Sequence, residues 1–455
     1  MTDIPVATTV TAQSDGRPVA RLPNRELVRM SLYWLGLSSI FAGLTAIMTG
    51  RLQFTDLADK ATAGRALFLI SITGVIIAII VQPTIGSISD YTISRWGRRK
   101  PYIFIGSTLD VVFLIGIASS NTLIAIAAFI TLLQFSSNFA QGPFQGYIPD
   151  LVPGPQVGTA SAVVGLMQVL GVVSGFVIAG LATATHNYAL GLISLGALEF
   201  VTMLLVVLRV REGPVAKSRE GRPWRSIAAE AWGTDILKER SFLWLVASRL
   251  AILMGGAMLT QMATFYLARA MGLGEKDAGL VLIPLVALVA IGTVSSVVPA
   301  ARISDRVGRK RVIWASCALG AAGLAIVAAA PILPIAFVGA LLYGISAGTF
   351  LAVDWALMTD IIPKASSGRY MGLSNVATAS AGVLAIAVGG VLMDVIGGPG
   401  LSGSGPRAAL WLAVVLMGIG ALLLRPVDES RRDDFPPPID ADVPAVVPVT
   451  TEASA

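Results

Sequence analysis

Twelve long apolar segments constrain the fold of this chain more than any other feature of its sequence. Each has about 20 or more mainly apolar residues, the length that an α-helix needs to cross a bilayer. Only helices and closed barrels satisfy their backbone inside lipid, and these segments are far longer than barrel strands. We therefore predict an all-α membrane protein with 12 transmembrane helices. The segments cover residues 28–50, 62–88, 101–120, 122–148, 157–182, 187–210, 241–269, 276–301, 311–331, 333–358, 367–396 and 406–425.

Composition agrees with an integral membrane protein. Hydrophobic residues make up 55% of the chain and charged residues only 13%, whereas soluble domains carry about 25% charged residues. The net charge of +6 does not predict nucleic-acid binding, because the cations lie in short loops between apolar segments. Cys317 and His186 are single residues of their kind, so we expect no disulfide, no metal site and no cofactor.

The distribution of charge predicts the orientation. Most of the 33 Lys and Arg residues fall on the side that holds both termini and the polar stretch 211–240. The positive-inside rule therefore places that side in the cytoplasm of a cell that carries the protein in its plasma membrane. We expect two six-helix bundles, 28–210 and 241–425, joined by the cytoplasmic linker 211–240. The polar ends 1–27 and 426–455 are predicted to be disordered cytoplasmic tails.

A short basic hairpin connects the second and third apolar segments, and a second copy connects the eighth and ninth. Each copy has Ser-Asp at the end of one segment and an Arg-x-Gly-Arg-Arg/Lys run before the next. The shared positions are Asp90, Arg95, Gly97 and Arg98 in the first copy and Asp305, Arg306, Gly308 and Arg309 in the second. A basic loop that only fixes topology would also explain the charge.

A second landmark repeats at nearly the same offset. Asp150 and Asp360 follow the fourth and tenth segments and lie 210 positions apart, while Asp90 and Asp305 lie 215 apart. A four-residue insert after Asp90 accounts for most of the difference. The two offsets indicate an internal duplication, as is typical of secondary transporters.

Two six-helix halves with this hairpin resemble the major facilitator superfamily over nearly all of residues 25–425. The first half resembles the sucrose-transporter-like group within the glycoside–pentoside–hexuronide cation symporters. The matching residues are Val81-Gln82-Pro83, Gly86, Ser89-Asp90, Ser94-Arg95, Gly97-Arg98-Arg99, Pro101-Tyr102-Ile103, Asn138, Gln141-Gly142-Pro143 and Asp150-Leu151. One position departs from the pattern, because plant sucrose proteins place an arginine where this chain has Gln145. The acids that melibiose-type relatives carry near Gln82 are also missing.

The resemblance implies a gate on the cytoplasmic side. Asp90 would dock against the start of the eleventh helix and Asp305 against the start of the fifth. Arg95 or Arg98 would reach Asp150, and Arg309 would reach Asp360. These contacts would clamp the cytoplasmic side in the outward-open state, and breaking them would accompany rocking of the two halves.

Four amides on the fourth segment are candidates for solute binding. Gln134, Asn138, Gln141 and Gln145 are spaced by 4, 3 and 4 residues, which puts them on one helical stripe. Amides offer paired donors and acceptors that suit polyhydroxyl ligands. The alternative is a polar contact between helices, which is common in membranes.

Four ionisable residues lie inside apolar segments, where they are functional candidates by default. We predict that Arg249 and Asp354 face one another, either as a solute and proton site or as a fixed pair that locks the second half. Asp110 is a candidate proton site, although support of a neighbouring helix explains it equally well. Glu199 is interpreted as structural or as buried on the headgroup side.

The sequence therefore predicts a secondary active transporter of a small polar solute, a sugar or glycoside, by symport with H⁺. An exporter or drug/H⁺ antiporter on the same fold is an alternative, as is a membrane assembly factor that does not transport. An enzyme is not expected, because no nucleophile–base set, phosphate loop or metal cluster is visible. The partners expected are the solute, H⁺ and the lipid bilayer, with no nucleic acid, and the protein is expected to act as a monomer.

Overall fold

The computed structural model describes residues 21–92, 94–153, 156–212, 223, 240–361, 367–398 and 400–428. Twelve long helices are described in these ranges, and we number only these. They are α1 Asn24–Phe54, α2 Ala63–Asp90, α3 Lys100–Ser119, α4 Leu123–Gln145, α5 Val157–Ala184, α6 Tyr188–Arg209, α7 Arg240–Gln261, α8 Glu275–Val307, α9 Arg309–Ala329, α10 Leu333–Ile361, α11 Ser367–Gly397 and α12 Ser404–Leu423.

The helices are long and apolar enough for a membrane. Eleven of them contain a stretch that could cross a bilayer, and in α2 the described apolar stretch is the shorter Ile76–Asp90. Large apolar side chains such as Ile124, Leu208 and Val395 lie exposed on the outside of the helices, as lipid-facing residues do. The predicted all-α membrane fold is confirmed.

The two halves use the same packing pattern. In the first half α1 packs on α5 and α6, α2 on α4, and α3 on α4 and α6. In the second half α7 packs on α11 and α12, α8 on α10, and α9 on α10 and α12. Between the halves α5 packs on α8 and α2 on α11. Adding six to each helix number converts one half into the other, so the packing has the internal symmetry that the repeated landmarks predicted.

Two predicted helices are interrupted in the structure. The fourth segment was expected to continue to residue 148, but α4 ends at Gln145 and a separate short helix covers Tyr147–Leu151. A side chain at the intervening Gly146 would overlap the guanidinium of Arg99, so the chain turns where only glycine leaves room.

The seventh segment was expected to be one helix to residue 269. Instead α7 ends at Gln261, a short turn covers Ala263–Phe265, and a π-helix covers Tyr266–Ala270. The N–H of Met271 donates to the carbonyl of Tyr266, the five-residue spacing that widens a π-turn.

The predicted ends and linker fall largely on residues outside the described ranges. Within the predicted tail 1–27, α1 already begins at Asn24, so the first helix is longer than expected. Of the predicted linker 211–240, the described part is 211–212, 223 and the first residue of α7. Of the predicted tail 426–455, only 426–428 are described. The remaining tail and linker assignments stay predictions.

Glycines allow the helices to approach closely inside each half. A Cβ on Gly106 of α3 would lie 2.6 Å from the carbonyl oxygen of Ser136 and 2.7 Å from the Cβ of Ala140 on α4. In the second half a Cβ on Gly323 of α9 would lie 2.7 Å from the backbone nitrogen of Tyr343 on α10. Small residues at such crossings are how membrane helices gain van der Waals contact.

We predict that Gly106→Val destabilises the protein by about 1–3 kcal/mol, because overpacking against a backbone oxygen forces α3 and α4 apart. Gly165→Val on α5 is the matched control, since a Cβ there meets no atom within 4 Å. The measurement is thermal unfolding of the purified protein in detergent. Equal melting temperatures for the two variants would contradict the predicted close contact.

Candidate functional site

A buried ion pair lies in the second half. Nη1 of Arg249 on α7 donates to Oδ2 of Asp354 on α10. Nε and Nη2 of the same arginine donate to Oγ1 of Thr378 on α11, at 3.2 and 3.1 Å. The two charged side chains are only 3% and 1% exposed, whereas Thr378 is exposed. The structure thus brings the two predicted residues into contact, one side chain away from an accessible surface.

One carboxylate oxygen of Asp354 has no hydrogen-bond partner. Oδ1 of Asp354 is buried and has no hydrogen-bond partner. A buried carboxylate oxygen without a donor is costly, and binding a proton or a ligand hydroxyl at that oxygen would remove the cost. The arrangement can therefore hold a proton or a hydroxyl next to a guanidinium.

The amide stripe of α4 is divided between packing and accessible positions. Asn138 is buried and its Nδ2 donates to the carbonyl of Gln134 at 2.7 Å, one helical turn earlier. The amide of Gln134 lies against Gly74 of α2. Gln141 and Gln145 are only partly buried. Asn138 thus bonds within its own helix and Gln134 packs against α2, whereas Gln141 and Gln145 are better placed to meet a solute. Solute binding by the stripe stays a prediction.

Asp110 lies in a closed cluster of the first half. Its carboxylate is fully buried and accepts hydrogen bonds from the hydroxyls of Ser136 and Ser137 on α4, the latter at 2.8 Å. Glu199 on α6 is equally buried and accepts from the hydroxyl of Tyr33 on α1 at 3.0 Å. The structure places these acids together, between four helices.

The first basic hairpin forms an ion-pair network, and Arg99 is at its centre. Nη2 of Arg99 contacts Asp90 at 2.8 Å and Asp150 at 2.6 Å, and Nη1 donates to the carbonyl of Pro143 at 2.6 Å. Arg98 also pairs with Asp150. Arg99 is buried, and sequence reasoning did not include it among the gate residues.

The contacts predicted for the other gate residues are partly present, partly absent and partly outside the described residues. Arg98 reaches Asp150, as one of two predicted alternatives, while Arg95 is exposed. Gly97 and Gly308 adopt φ of 114° and 97°, which glycine allows at these turns. Arg309 contacts Asp305 at 2.6 Å in its own hairpin. The side chain of Asp360 and those at the starts of α5 and α11 lie outside the described residues, so the docking contacts expected there stay predictions.

Glu212 is a second residue that the sequence did not reveal. Its carboxylate accepts from the backbone nitrogens of Arg99 and Lys100, both at 3.0 Å, and thereby caps the start of α3. The hydroxyl of Tyr147 donates to the same carboxylate at 2.6 Å. Burial and the Glu212 carboxylate raise the pKa of Tyr147, so this hydroxyl remains a donor at neutral pH.

The two halves contact each other on the side opposite to the hairpins. We call this set of contacts the opposite-side latch. The carboxylate of Asp394 on α11 accepts from the backbone nitrogens of Gly64 and Arg65 at 3.1 and 2.8 Å, which caps the start of α2 from the other half. Arg269 donates to Gln53 Oε1 at 2.9 Å and to the carbonyl of Lys60 at 2.6 Å.

Two further contacts complete the opposite-side latch. Glu275 at the start of α8 binds Nδ1 of His186 at 2.7 Å and the hydroxyl of Tyr188. A Cβ on Gly279 would lie 2.5 Å from the carbonyl of Gly180, so α5 and α8 touch there through their backbones. In sequence these acids and cations are ordinary residues near helix ends, and no spacing links them across the two halves.

Comparison with known proteins decides the family. The sequence profile of the Major Facilitator Superfamily matches residues 27–298 and 285–451. The chain belongs to this superfamily. Its members are transporters rather than enzymes, so the chain is a multi-pass membrane transporter, as its sequence predicted.

Solved transporters share the fold. A crystal structure of a point mutant of the nucleoside transporter NupG superposes with a TM-score of 0.69 at 16% identity, over 88% of this chain and 98% of that one. A bacterial homolog of the human lysosomal transporter Spinster, in an inward-facing and unoccupied conformation, superposes with a TM-score of 0.66 at 14% identity, over 88% and 96%. At such identities the likeness shows the fold alone.

Sequence similarity to curated proteins is local. The membrane-associated transporter protein of Homo sapiens is 35% identical over 95 residues, 17% of each chain. The sucrose transport protein SUC3 of Arabidopsis thaliana is 31% identical over 125 residues, 23% of this chain and 21% of that protein. The chain thus spans about a fifth of the length of these relatives. The resemblance to the sucrose-transporter-like group is confirmed.

The network around Arg99 generates the first prediction for the site. Arg99→Ala should destabilise the protein by about 3–5 kcal/mol, because Asp90 and Asp150 would then lose a buried cation. Arg95→Ala in the same hairpin is exposed and should change stability by less than about 0.5 kcal/mol. Thermal unfolding of both variants measures this difference. Similar losses for both variants would show that Arg99 does not organise the hairpin.

The opposite-side latch generates the second prediction for the site. Asp394→Ala removes two charge-assisted hydrogen bonds between the halves, each of about 1.5–3 kcal/mol, and should shift the protein toward a state that is open on that side. Spin labels at Asn121→Cys and Ser402→Cys, in a background with Cys317→Ser, would report the widening by electron–electron distance measurement. Asp277→Ala, which removes an exposed acid from the same side, is the control. An unchanged distance distribution with Asp394→Ala would refute the latch.

Proposed function

We propose that the protein is a symporter that moves a sugar or glycoside together with H⁺ by alternating access. The observation that carries this proposal is the buried pair of Arg249 and Asp354 with exposed Thr378 beside it. A guanidinium and a hydroxyl recognise solute hydroxyls, and the free carboxylate oxygen accepts a proton. The local similarity to sucrose transport proteins supports a sugar as the solute. Gln145, where those carriers have arginine, argues that the solute contacts differ.

The positive-inside rule supports a cytoplasmic location for the hairpin side, both termini and the linker, in the plasma membrane. The opposite-side latch would then hold the extracellular side closed. Breaking the latch would accompany the turn of the site toward the outside. The proposed unit is the monomer, since each chain contains both halves.

The proton would act through Asp354. When Asp354 is ionised, Arg249 is held by its counter-ion inside a low-dielectric site. Protonation of Asp354 removes that attraction and frees the guanidinium for solute oxygens. Proton and solute binding would therefore favour each other, which is the reciprocity that symport needs.

The test is uptake into proteoliposomes, with a panel of radiolabelled sugars and glycosides and an imposed proton gradient. The wild-type protein should accumulate at least one solute, and collapse of the gradient should abolish the accumulation. Asp354→Asn should retain equilibrium exchange of that solute and lose gradient-driven accumulation by about tenfold or more, because the amide cannot release a proton.

A structural role of the pair predicts a different outcome. Asp354→Asn leaves Arg249 buried without its counter-ion, so R249Q/D354N serves as the matched variant with both charges removed. If the pair only locks the second half, this double variant should fold and transport like the wild type. Gradient-driven accumulation by either variant would refute the coupling role, and absence of gradient-dependent uptake of every sugar by the wild type would refute sugar symport.

A further inference from the structure

A second group of buried acids lies far from the Arg249 pair in sequence, in the first half. Asp110 on α3 and Glu199 on α6 are both 0% exposed, and their carboxyl groups lie close enough to interact. Tyr33 of α1 donates to Glu199 and contacts Ser107 Oγ at 2.6 Å. We call these residues, together with the two serines of α4 that donate to Asp110, the carboxyl cluster.

The charge of the carboxyl cluster fixes its proton content. Carboxylate oxygens only accept, so a hydrogen bond between Asp110 and Glu199 would need a proton between them. Ionising both of two adjacent carboxylates is costly in a low-dielectric site, so one of them binds a proton readily, as in other acid pairs that share one proton. No lysine, arginine or histidine takes part in the interactions of the cluster in the described part of the chain. Burial without a counter-cation therefore favours a bound proton.

The remaining contacts distinguish the two acids. Both oxygens of Asp110 accept hydroxyl hydrogen bonds from α4, which stabilises the ionised form of this acid. Oε2 of Glu199 is buried and receives no hydrogen bond. A proton bound at this oxygen would remove the cost of leaving it without a partner. We propose that Asp110 and Glu199 form a proton-binding site of the first half, with one exchangeable proton carried by Glu199 and directed at Asp110.

Helix α4 connects this site to the candidate solute residues. Ser136 and Ser137 of α4 donate to Asp110 in the carboxyl cluster. Asn138 and Gln141 of the amide stripe follow directly on the same helix. Loss of the proton would place a second negative charge beside the two serines and strengthen their hydrogen bonds to Asp110. A shift of α4 would follow, and the amide stripe would move with it. This coupling rests on the proposed function, whereas the proton site does not.

Proton release from purified protein tests the site without any solute. Unbuffered protein in detergent is taken from about pH 5 to about pH 9, and the protons released are counted with a pH indicator dye. D110N/E199Q keeps the shapes of both side chains and should release one proton fewer than the wild type. Equal release would overturn the proposal, because the pair would then hold its proton permanently or hold none.

A second variant makes the test independent of the folding of the first. S136A/S137A keeps both acids and removes the two donors to Asp110. The proton should then move from Glu199 toward Asp110, because the hydrogen bonds that favoured the ionised form of Asp110 are lost. Infrared absorption of the protonated carboxyl group, followed through the same titration, should show a shift of the carboxyl band between the wild type and this variant. The same band in both proteins, or no protonated carboxyl band in either, would also overturn the proposal.

The outcome is separable from that of the proposed function. If uptake by the wild type does not depend on a proton gradient, the proposed symport fails, while the proton count still decides the carboxyl cluster. If uptake is proton-coupled and D110N/E199Q releases as many protons as the wild type, symport stands and the carboxyl cluster fails.

Discussion

Charge inside the bilayer is the constraint on which the rest of this structure depends. An ionisable side chain in hydrocarbon costs several kcal/mol unless it is paired or neutralised, so each must meet a partner from another helix. Arg249 therefore joins α7 to α10 and α11. Asp110 and Glu199 join α1, α3, α4 and α6. The polar groups that could bind a proton are thus also the groups that fix the order of helices in each half.

The two sides of the molecule are held by different kinds of contact. On the hairpin side the described ion pairs join residues of one half, as in the network around Arg99. On the opposite side the hydrogen bonds cross between halves, and the principal acceptors are Asp394, Glu275 and a backbone carbonyl. Each such bond contributes only about 0.5–3 kcal/mol. A latch of this strength closes one side and still opens when contacts form on the other.

Sequence reasoning found what depends on periodicity and position along the chain. Apolar length located the helices, and depth from the helix ends brought Arg249 and Asp354 together. It missed Glu212 and Asp394, because both accept from backbone nitrogens of distant helix starts, and a backbone donor has no signature in the sequence. It also missed Arg99, whose reach to two acids depends on the gap that Gly146 leaves. Glu199 was underrated because its partner Asp110 is 89 positions away.

The two copies of the basic hairpin share one position but differ in the contacts made there. Arg99 and Lys310 occupy the same position in the two copies. The planar guanidinium of Arg99 binds two carboxylates and a carbonyl at once, while the ammonium of Lys310 donates to the carbonyls of Arg425 and Val427 after α12. In both halves the segment after the last helix binds the start of the third helix. Glu212 follows α6 and caps α3, and the carbonyls after α12 bind Lys310 at the start of α9. The shared role follows from the common ancestry of the halves. The two residues carry the same charge and differ in their partners, because Arg99 binds carboxylates and Lys310 binds carbonyls. This difference argues that the two hairpins contribute unequally to any movement of the halves.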